Sequence, residues 1–201
     1  MRKGIITVTI LLLVTLCSCS NTIQSTSSKL PVNNVSASFS IDVNDLNQIV
    51  GDADYVFVAE VVDNIETIYK NKVNIETEAG LKEVSDPYTR YSINVIDNIK
   101  GNLKKNKRID VYKAGGISQD NTSIILYEND EMLEVNKLYI LVAYAQPDGT
   151  LLVVGPNSSS VIDTKNKSQI VNSEPYALYK KSFENENKIN NRPRFKSTFD
   201  E

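Results

Sequence analysis

The chain has two cysteines, Cys17 and Cys19, separated by one serine, and no histidine among its 201 residues. A thiol can act as a nucleophile, ligate a metal, form a disulfide or carry a lipid. The absence of histidine removes the commonest general base and the commonest zinc ligand, which excludes serine–histidine triads and histidine-based metallohydrolases. The role of the cysteines therefore depends on the residues around them.

A cationic start and an apolar run precede the cysteines. Arg2 and Lys3 are followed by twelve largely apolar residues from Ile5 to Leu16, and a small residue, Ser18, stands directly before Cys19. This is the layout of a secretory signal that ends at a lipid-attachment cysteine. As a helix the run spans about 18 Å, which is too short for a hydrocarbon core of about 30 Å. An uncleaved signal anchor and a simple secretory signal are the alternatives.

The segment Leu16-Cys17-Ser18-Cys19 resembles the bacterial lipobox, in which a branched apolar residue lies three positions before the modified cysteine and a small residue directly precedes it. Cys17 fits less well, because bulky Leu16 would occupy the small-residue position. The resemblance implies that residues 1–18 are a lipoprotein signal peptide and that the sulfur of Cys19 carries a diacylglyceryl group. The protein is then expected on the extracytoplasmic face of the cell membrane, in a Gram-positive bacterium.

Lipidation of Cys19 and removal of Cys17 would leave the mature protein without a thiol or a disulfide. This excludes a cysteine nucleophile, a thiolate metal site and a disulfide scaffold. We therefore predict no catalytic residues, no metal site and no cofactor. The net charge of −3 becomes about −5 without Arg2 and Lys3, and no basic stripe is interleaved with aromatic residues, so nucleic acid is not an expected partner.

The rest of the chain divides into three parts by composition. Residues 19–40 are rich in Ser, Thr and Asn, which predicts a disordered tether. Residues 41–164 are predicted to form the folded domain, beginning with a short helix over residues 41–50 that is capped by Asp42 or Asn44. Residues 165–201 are predicted to hold a second helix, opened by the segment 173–175, and a frayed polar tail.

The folded domain is predicted to be mainly β. Five strands are expected at residues 54–62, 88–99, 108–113, 138–145 and 151–155. A ragged strand over 67–73 and a short edge strand over 161–163 are further candidates, and residues 64–87 are interpreted as a long connection. Five strands with a glycine bend at 115–116 and a closing hairpin turn at 146–149 indicate a five-stranded OB-like barrel with a short N-terminal helix and a C-terminal helix.

Four segments carry a further resemblance: 53–61, 91–95 with Lys100-Gly101, Gly115-Gly116, and 138–142. Together they resemble a poorly characterised group of bacterial surface proteins that is similar to the netrin-like domain, the OB barrel also found in tissue inhibitors of metalloproteinases. The resemblance covers about residues 45–164 and implies the fold more than the function. In those inhibitors an N-terminal cysteine chelates the target's zinc. Here a tether separates Cys19 from the barrel, and acylation of its amine would prevent chelation, so this inhibition is not expected.

Two functions are compatible with these features. The first is a membrane-anchored, non-catalytic binding module whose partner is an envelope polymer or a surface protein. The alternative is a carboxylate-dependent cell-envelope hydrolase. Such an enzyme needs two carboxylates about 5–9.5 Å apart. The candidates for this pair are Glu60, Asp86, Asp97 and Glu128.

Two other groups of side chains are candidates for binding. An acidic group could offer oxygens to calcium, but it lacks the alternating ligands and central glycine of a defined calcium loop, so we interpret it as a solvated loop. Several tyrosines could line a ligand groove or lie in the core. The acidic group comprises Glu128, Asp130, Glu131 and Glu134, and the tyrosines are Tyr88, Tyr91, Tyr112, Tyr127, Tyr139 and Tyr144.

Overall fold

The structure, a computed structural model, describes residues 30–78, 80–164, 166–189 and 192–201. The predicted signal peptide, Cys19 and residues 19–29 of the predicted tether lie outside the described residues. Within these ranges, no helix has both the length and the apolar character needed to cross a membrane.

The described residues form nine strands and three short helical segments. In chain order these are β1 (Val32–Val35), α1 (Leu46–Asp52), β2 (Tyr55–Thr77), β3 (Gly80–Lys100), β4 (Arg108–Ala114), β5 (Gly116–Ile117), β6 (Ile124–Tyr127), β7 (Leu138–Ala145), β8 (Leu151–Val153), β9 (Ser159–Ile162), a 3₁₀ helix (Lys167–Asn172) and α2 (Glu174–Glu184). The prediction of a mainly β protein is confirmed. The number of strands exceeds the predicted five.

Five of the strands close into a ring. β2 pairs with β3 on one side and with β7 on the other, and β3 pairs with β4. β8 completes the ring, because it lies parallel to β4 and antiparallel to β7. β9 adds to the edge of β7. The architecture is therefore barrel-like, with the five ring strands near the five segments that the sequence indicated.

A long β-ribbon extends from the ring. β2 pairs with β7 only through residues 55–60, and β3 pairs with β4 through residues 89–94. Beyond these residues the two strands continue to pair with each other as far as Thr77 and Gly80. The interpretation of residues 64–87 as a long connection is therefore wrong, whereas the candidate strand over 67–73 lies within β2. Most side chains at the far end of the ribbon are exposed, so no apolar alternation marked it as strand.

A second, three-stranded sheet includes part of the predicted tether. β1 lies parallel to β6, which pairs antiparallel with β5. Farther along, the ring of Phe39 meets the ring of Tyr127 edge to face, at a centroid distance of 5.8 Å. Residues 32–39 are thus held on the domain, in contrast to the predicted tether over 19–40. Every side chain of β1 is exposed, and its backbone pairing has no signature in composition.

The core has two layers, one inside the ring and one between the ring and the helices. On β7, Leu141 and Ala143 point into the ring, whereas Ile140 and Val142 belong to the outer layer with residues of α1 and α2. Burial on both faces explains why this segment is apolar at almost every position.

The helices confirm part of the prediction. The N-cap of α1 is Asp45, three residues after one predicted cap, Asp42, and one residue after the other, Asn44, because the carboxylate of Asp45 accepts the backbone N–H groups of Asn47 and Gln48. Ser173 caps α2, as its sequence indicates.

The C-terminal tail does not fray as predicted. The backbone N–H of Thr198 donates to the carbonyl of Gly149 at 3.1 Å, and that of Lys104 donates to Phe199 at 3.0 Å. The last residue, Glu201, donates its N–H to the carbonyl of Asn102 at 2.9 Å. The tail is polar because its backbone and side chains bind the turns of the ring, and a polar composition alone does not distinguish this from disorder.

Candidate functional site

A cavity of about 390 Å³ lies on the outer surface of the ring. Its floor is the β7–β8 hairpin, which contributes Val142, Tyr144 and Leu152. One wall is the segment 39–43, and another is the C-terminal tail at residues 192–195. Parts of the chain that are far apart in sequence thus meet here, and most of the lining is apolar. A concave apolar site of this size is within the range of small-molecule pockets.

One end of the cavity is polar. The guanidinium of Arg192 donates through Nε to Asp52 at 3.2 Å and through a terminal nitrogen to Asp54 at 2.9 Å. Its centre lies 5.0 Å from the ring of Tyr144. Burial raises the pKa of the Tyr144 hydroxyl, and the nearby Asp52 carboxylate raises it further. The hydroxyl is therefore protonated at neutral pH. The charges of Asp52 and Asp54 are offset by those of Arg192 and Arg194, which pair with them.

A set of cations holds the tail against the C-terminal end of α1. Arg194 donates to the carbonyls of Gly51, Asp52 and Ala53 at 2.9–3.0 Å. Lys100 donates to the carbonyl of Val50 at 2.6 Å. These carbonyls have no partner within the helix, so the cations satisfy groups that would otherwise be left unbonded. The tail wall of the cavity is consequently fixed to α1.

The pKa values of two tyrosines predict how the stability of the fold changes at high pH. Tyr55 donates its hydroxyl proton to Asp200 in the tail at 2.9 Å, and Tyr176 of α2 donates to Asp97 at 2.8 Å. Burial is the main reason that the pKa of each rises to about 12. In the unfolded chain a tyrosine ionises near pH 10, so the unfolded state loses protons first and stability falls as the pH rises through 10 to 12. We expect the urea midpoint to decrease over this range, with a smaller decrease in Tyr176→Phe; equal slopes would contradict this.

The four carboxylates suggested for hydrolysis come from different parts of the fold: Glu60 from β2, Asp86 and Asp97 from β3, and Glu128 from the segment after β6. Glu60 lines a shallow cavity with Asn94 and Arg108, whereas Asp86 lines another with Tyr88 and Tyr127. Asp86 accepts from Asn71 at 2.8 Å, Asp97 accepts from Tyr176 and from Lys105, and Glu128 accepts from Ser36 at 2.7 Å. In five cavities among the described residues, no lining includes two of these four carboxylates.

The acidic residues that precede β7 also have different environments. Asp130 forms a 2.7 Å ion pair with Lys113, and both side chains are almost completely buried. Glu134 pairs with Lys137 at the surface. Among the described residues, no three acidic side chains come together in a way that could hold a metal ion. The group is thus not the uniformly solvated loop that the sequence indicated, because Asp130 is an internal partner of a ring lysine.

Some of the tyrosines lie in the core and others line cavities; the sequence had left both possibilities open. Tyr91 and Tyr139 are buried inside the ring. Tyr144 lines the large cavity, and Tyr88 and Tyr127 line the smaller one beside the second sheet. Tyr112 lies near the ammonium group of Lys70, which is 5.3 Å from its ring. They do not form one common groove.

The main components of the large cavity were missed by sequence reasoning. Phe39 was assigned to the tether and Arg192 to the frayed tail. One signal was available: two arginines flank Pro193, and two aspartates, Asp52 and Asp54, lie at the C-terminal end of the first helix. Opposite charges at the two ends of a domain can pair, but the sequence does not indicate which ones meet.

The sequence matches no protein-family model and no curated protein.

Proposed function

We propose that this protein is a lipoprotein of the bacterial cell envelope that acts as a non-catalytic binding module. Cys19 anchors it to the extracytoplasmic face of the membrane, and an OB-type, netrin-like barrel presents a binding site to the envelope. The closed five-stranded ring, with its parallel β4–β8 contact, supports the OB-type assignment. The apolar cavity beside the C-terminal tail is the observation that carries the binding function.

The polar residues of this cavity form hydrogen bonds that hold parts of the protein together. Arg192 is bonded to Asp52 and Asp54, and Ser158 donates its hydroxyl to the carbonyl of Gly155 at 2.6 Å. A serine nucleophile needs an adjacent base, and Ser158 has a carbonyl as its partner. The hydrolase alternative finds no support in the cavities described above, because none of the five is lined by two of its four candidate carboxylates. Binding is the function that this geometry favours.

The anchor is tested by substituting each cysteine separately. We expect Cys19→Ala to abolish incorporation of a metabolic fatty-acid label and to leave the precursor unprocessed or the protein released from membranes. Cys17→Ala is the matched control, since Cys17 is removed with the signal, and it should be labelled and retained like the wild type. Labelling of Cys19→Ala at the wild-type level would refute the anchor.

The absence of catalysis is tested on the purified full-length protein. Incubated with isolated cell-wall polymer, it is expected to release no reducing ends or soluble fragments above a heat-treated sample. Release that disappears in Glu60→Gln, Asp86→Asn, Asp97→Asn or Glu128→Gln would instead establish the hydrolase.

A further inference from the structure

We propose that the large cavity binds the hydrocarbon chain of a lipid taken from the adjacent bilayer. This inference rests on the proposed function and names the class of ligand that the binding module takes. It depends on three properties of the cavity. Most of its polar side chains already have partners, its backbone offers few free N–H groups, and the length of chain between the anchor and the cavity keeps it near the bilayer.

Most of the polar side chains in the lining already have partners. Arg192 donates to Asp52, to Asp54 and to the carbonyl of Pro193 at 3.1 Å. Gln146 donates its amide to the carbonyl of Tyr144 at 3.2 Å. A charged ligand group placed inside would have to break these bonds or remain unpaired, and either is costly in an apolar site. The interior therefore favours a ligand portion without charge.

The backbone of the lining favours a hydrocarbon over a peptide. The N–H groups of Val142, Ala145 and Gln146 donate to Ser158, Asp54 and Thr150, respectively. Three further lining residues are prolines, which have no N–H: Pro147, Pro156 and Pro193. A buried peptide needs donors for its own C=O groups, and these six residues have no free backbone N–H to offer. A hydrocarbon chain needs none.

The cavity can reach the bilayer. Phe39 of the cavity wall is twenty residues after Cys19, a separation of at most about 70 Å even when fully extended. An anchored barrel is thus confined to the space next to the membrane surface, where lipid is the most concentrated apolar ligand. The chain of one lipid would occupy the cavity, with the polar head at the mouth.

The test uses the full-length lipidated protein in nanodiscs. The discs contain a phospholipid with a photoactivatable diazirine near the end of one acyl chain, and adducts are mapped by mass spectrometry after irradiation. We expect adducts concentrated on residues 39–43, 142–156 and 192–195. Val43→Phe and Val154→Phe fill the cavity from two sides and should reduce these adducts at least fivefold.

Val161→Phe is the matched control, because it adds the same group at a position on β9 that is 43% exposed. It should leave the adducts unchanged. Val43 lies outside the helices and strands, so its substitution keeps the test valid even if Val154→Phe fails to fold, which circular dichroism will show. Adducts that are absent from the cavity, or equal in all variants, would overturn the proposal.

Two further arms separate the source of the chain from the anchoring itself. A diazirine fatty acid incorporated metabolically into the anchor should give few cavity adducts; if only this arm labels the cavity, the ligand is the protein's own anchor and the bilayer source is wrong. Co-elution with the discs before irradiation reports on the anchor alone.

Protein that does not co-elute is titrated with soluble lysolipids. Their affinity for the protein should rise about fourfold per added methylene until the cavity is full. No dependence of affinity on chain length would overturn the proposal.

Discussion

Asp130→Ala is expected to lower the free energy of unfolding by about 3–5 kcal/mol. Asp130 and Lys113 form a 2.7 Å ion pair in which the two side chains are 2% and 0% exposed. Burial already lowers the pKa of Lys113, and the carboxylate opposes that shift. Without Asp130, the lysine must stay buried as an unpaired ammonium or lose its proton, and both cost free energy. Urea unfolding followed by circular dichroism measures the effect, since the chain has no tryptophan.

A surface pair provides the control for this substitution. Glu134 and Lys137 also lie 2.7 Å apart, but their side chains are 64% and 44% exposed. Glu134→Ala should change stability by less than about 1 kcal/mol. The double variant Lys113→Met with Asp130→Leu should recover most of the lost stability, because it removes both charges and keeps apolar volume. Equal effects of Asp130→Ala and Glu134→Ala would contradict the assignment of a buried pair.

Gly51→Ala is expected to cost about 2–4 kcal/mol, although alanine is the better helix former by about 1 kcal/mol. A Cβ on Gly51 would overlap the backbone carbonyl of Asn187, which belongs to the segment that follows α2. The obstruction is backbone and cannot rotate away, so the segment must move and weaken the bonds from Arg194 and Lys100 to α1. Urea unfolding measures the loss, and faster proteolysis after residue 184 locates it.

Asn47→Ala is the comparison for Gly51, one turn earlier in the same helix. Its side chain is half-buried, so we expect a change within about 0.5 kcal/mol. If Gly51→Ala instead raises stability by about 1 kcal/mol, as for a glycine on a free helix surface, the close approach of residue 187 to α1 is wrong.

The parts of the fold that bury side chains could be predicted from sequence. β7 is recognisable because nearly every residue from Leu138 to Ala145 is buried, on one face or the other. The ribbon of β2 and β3 was missed because pairing between two exposed strands leaves no hydrophobic period. β1 was missed for the same reason. A backbone hydrogen bond constrains φ and ψ but not the type of side chain. Strands that are held only by backbone pairing therefore cannot be recognised from amino-acid composition.

The candidate site could be predicted far less well. The proposed lipid-attachment site at Cys19 rests on a local pattern of four residues, and such a pattern can be found in one sequence. The cavity depends on contacts across the whole chain: Arg192 meets Asp52 over 140 positions. Long-range ion pairs of this kind leave no trace in spacing, because many other pairs of opposite charges in the chain are equally compatible with it.

The cavity takes one wall from residues near the start of the described chain and another from its last ten residues. Under the proposed secretion the chain emerges from its N-terminus onward, so all ring strands are exported before residues 192–195, which form one wall of the cavity. The proposed binding site is therefore complete only once these residues have been exported. A product truncated before Arg192 would retain all the ring strands and both helices but lack the wall that closes the site.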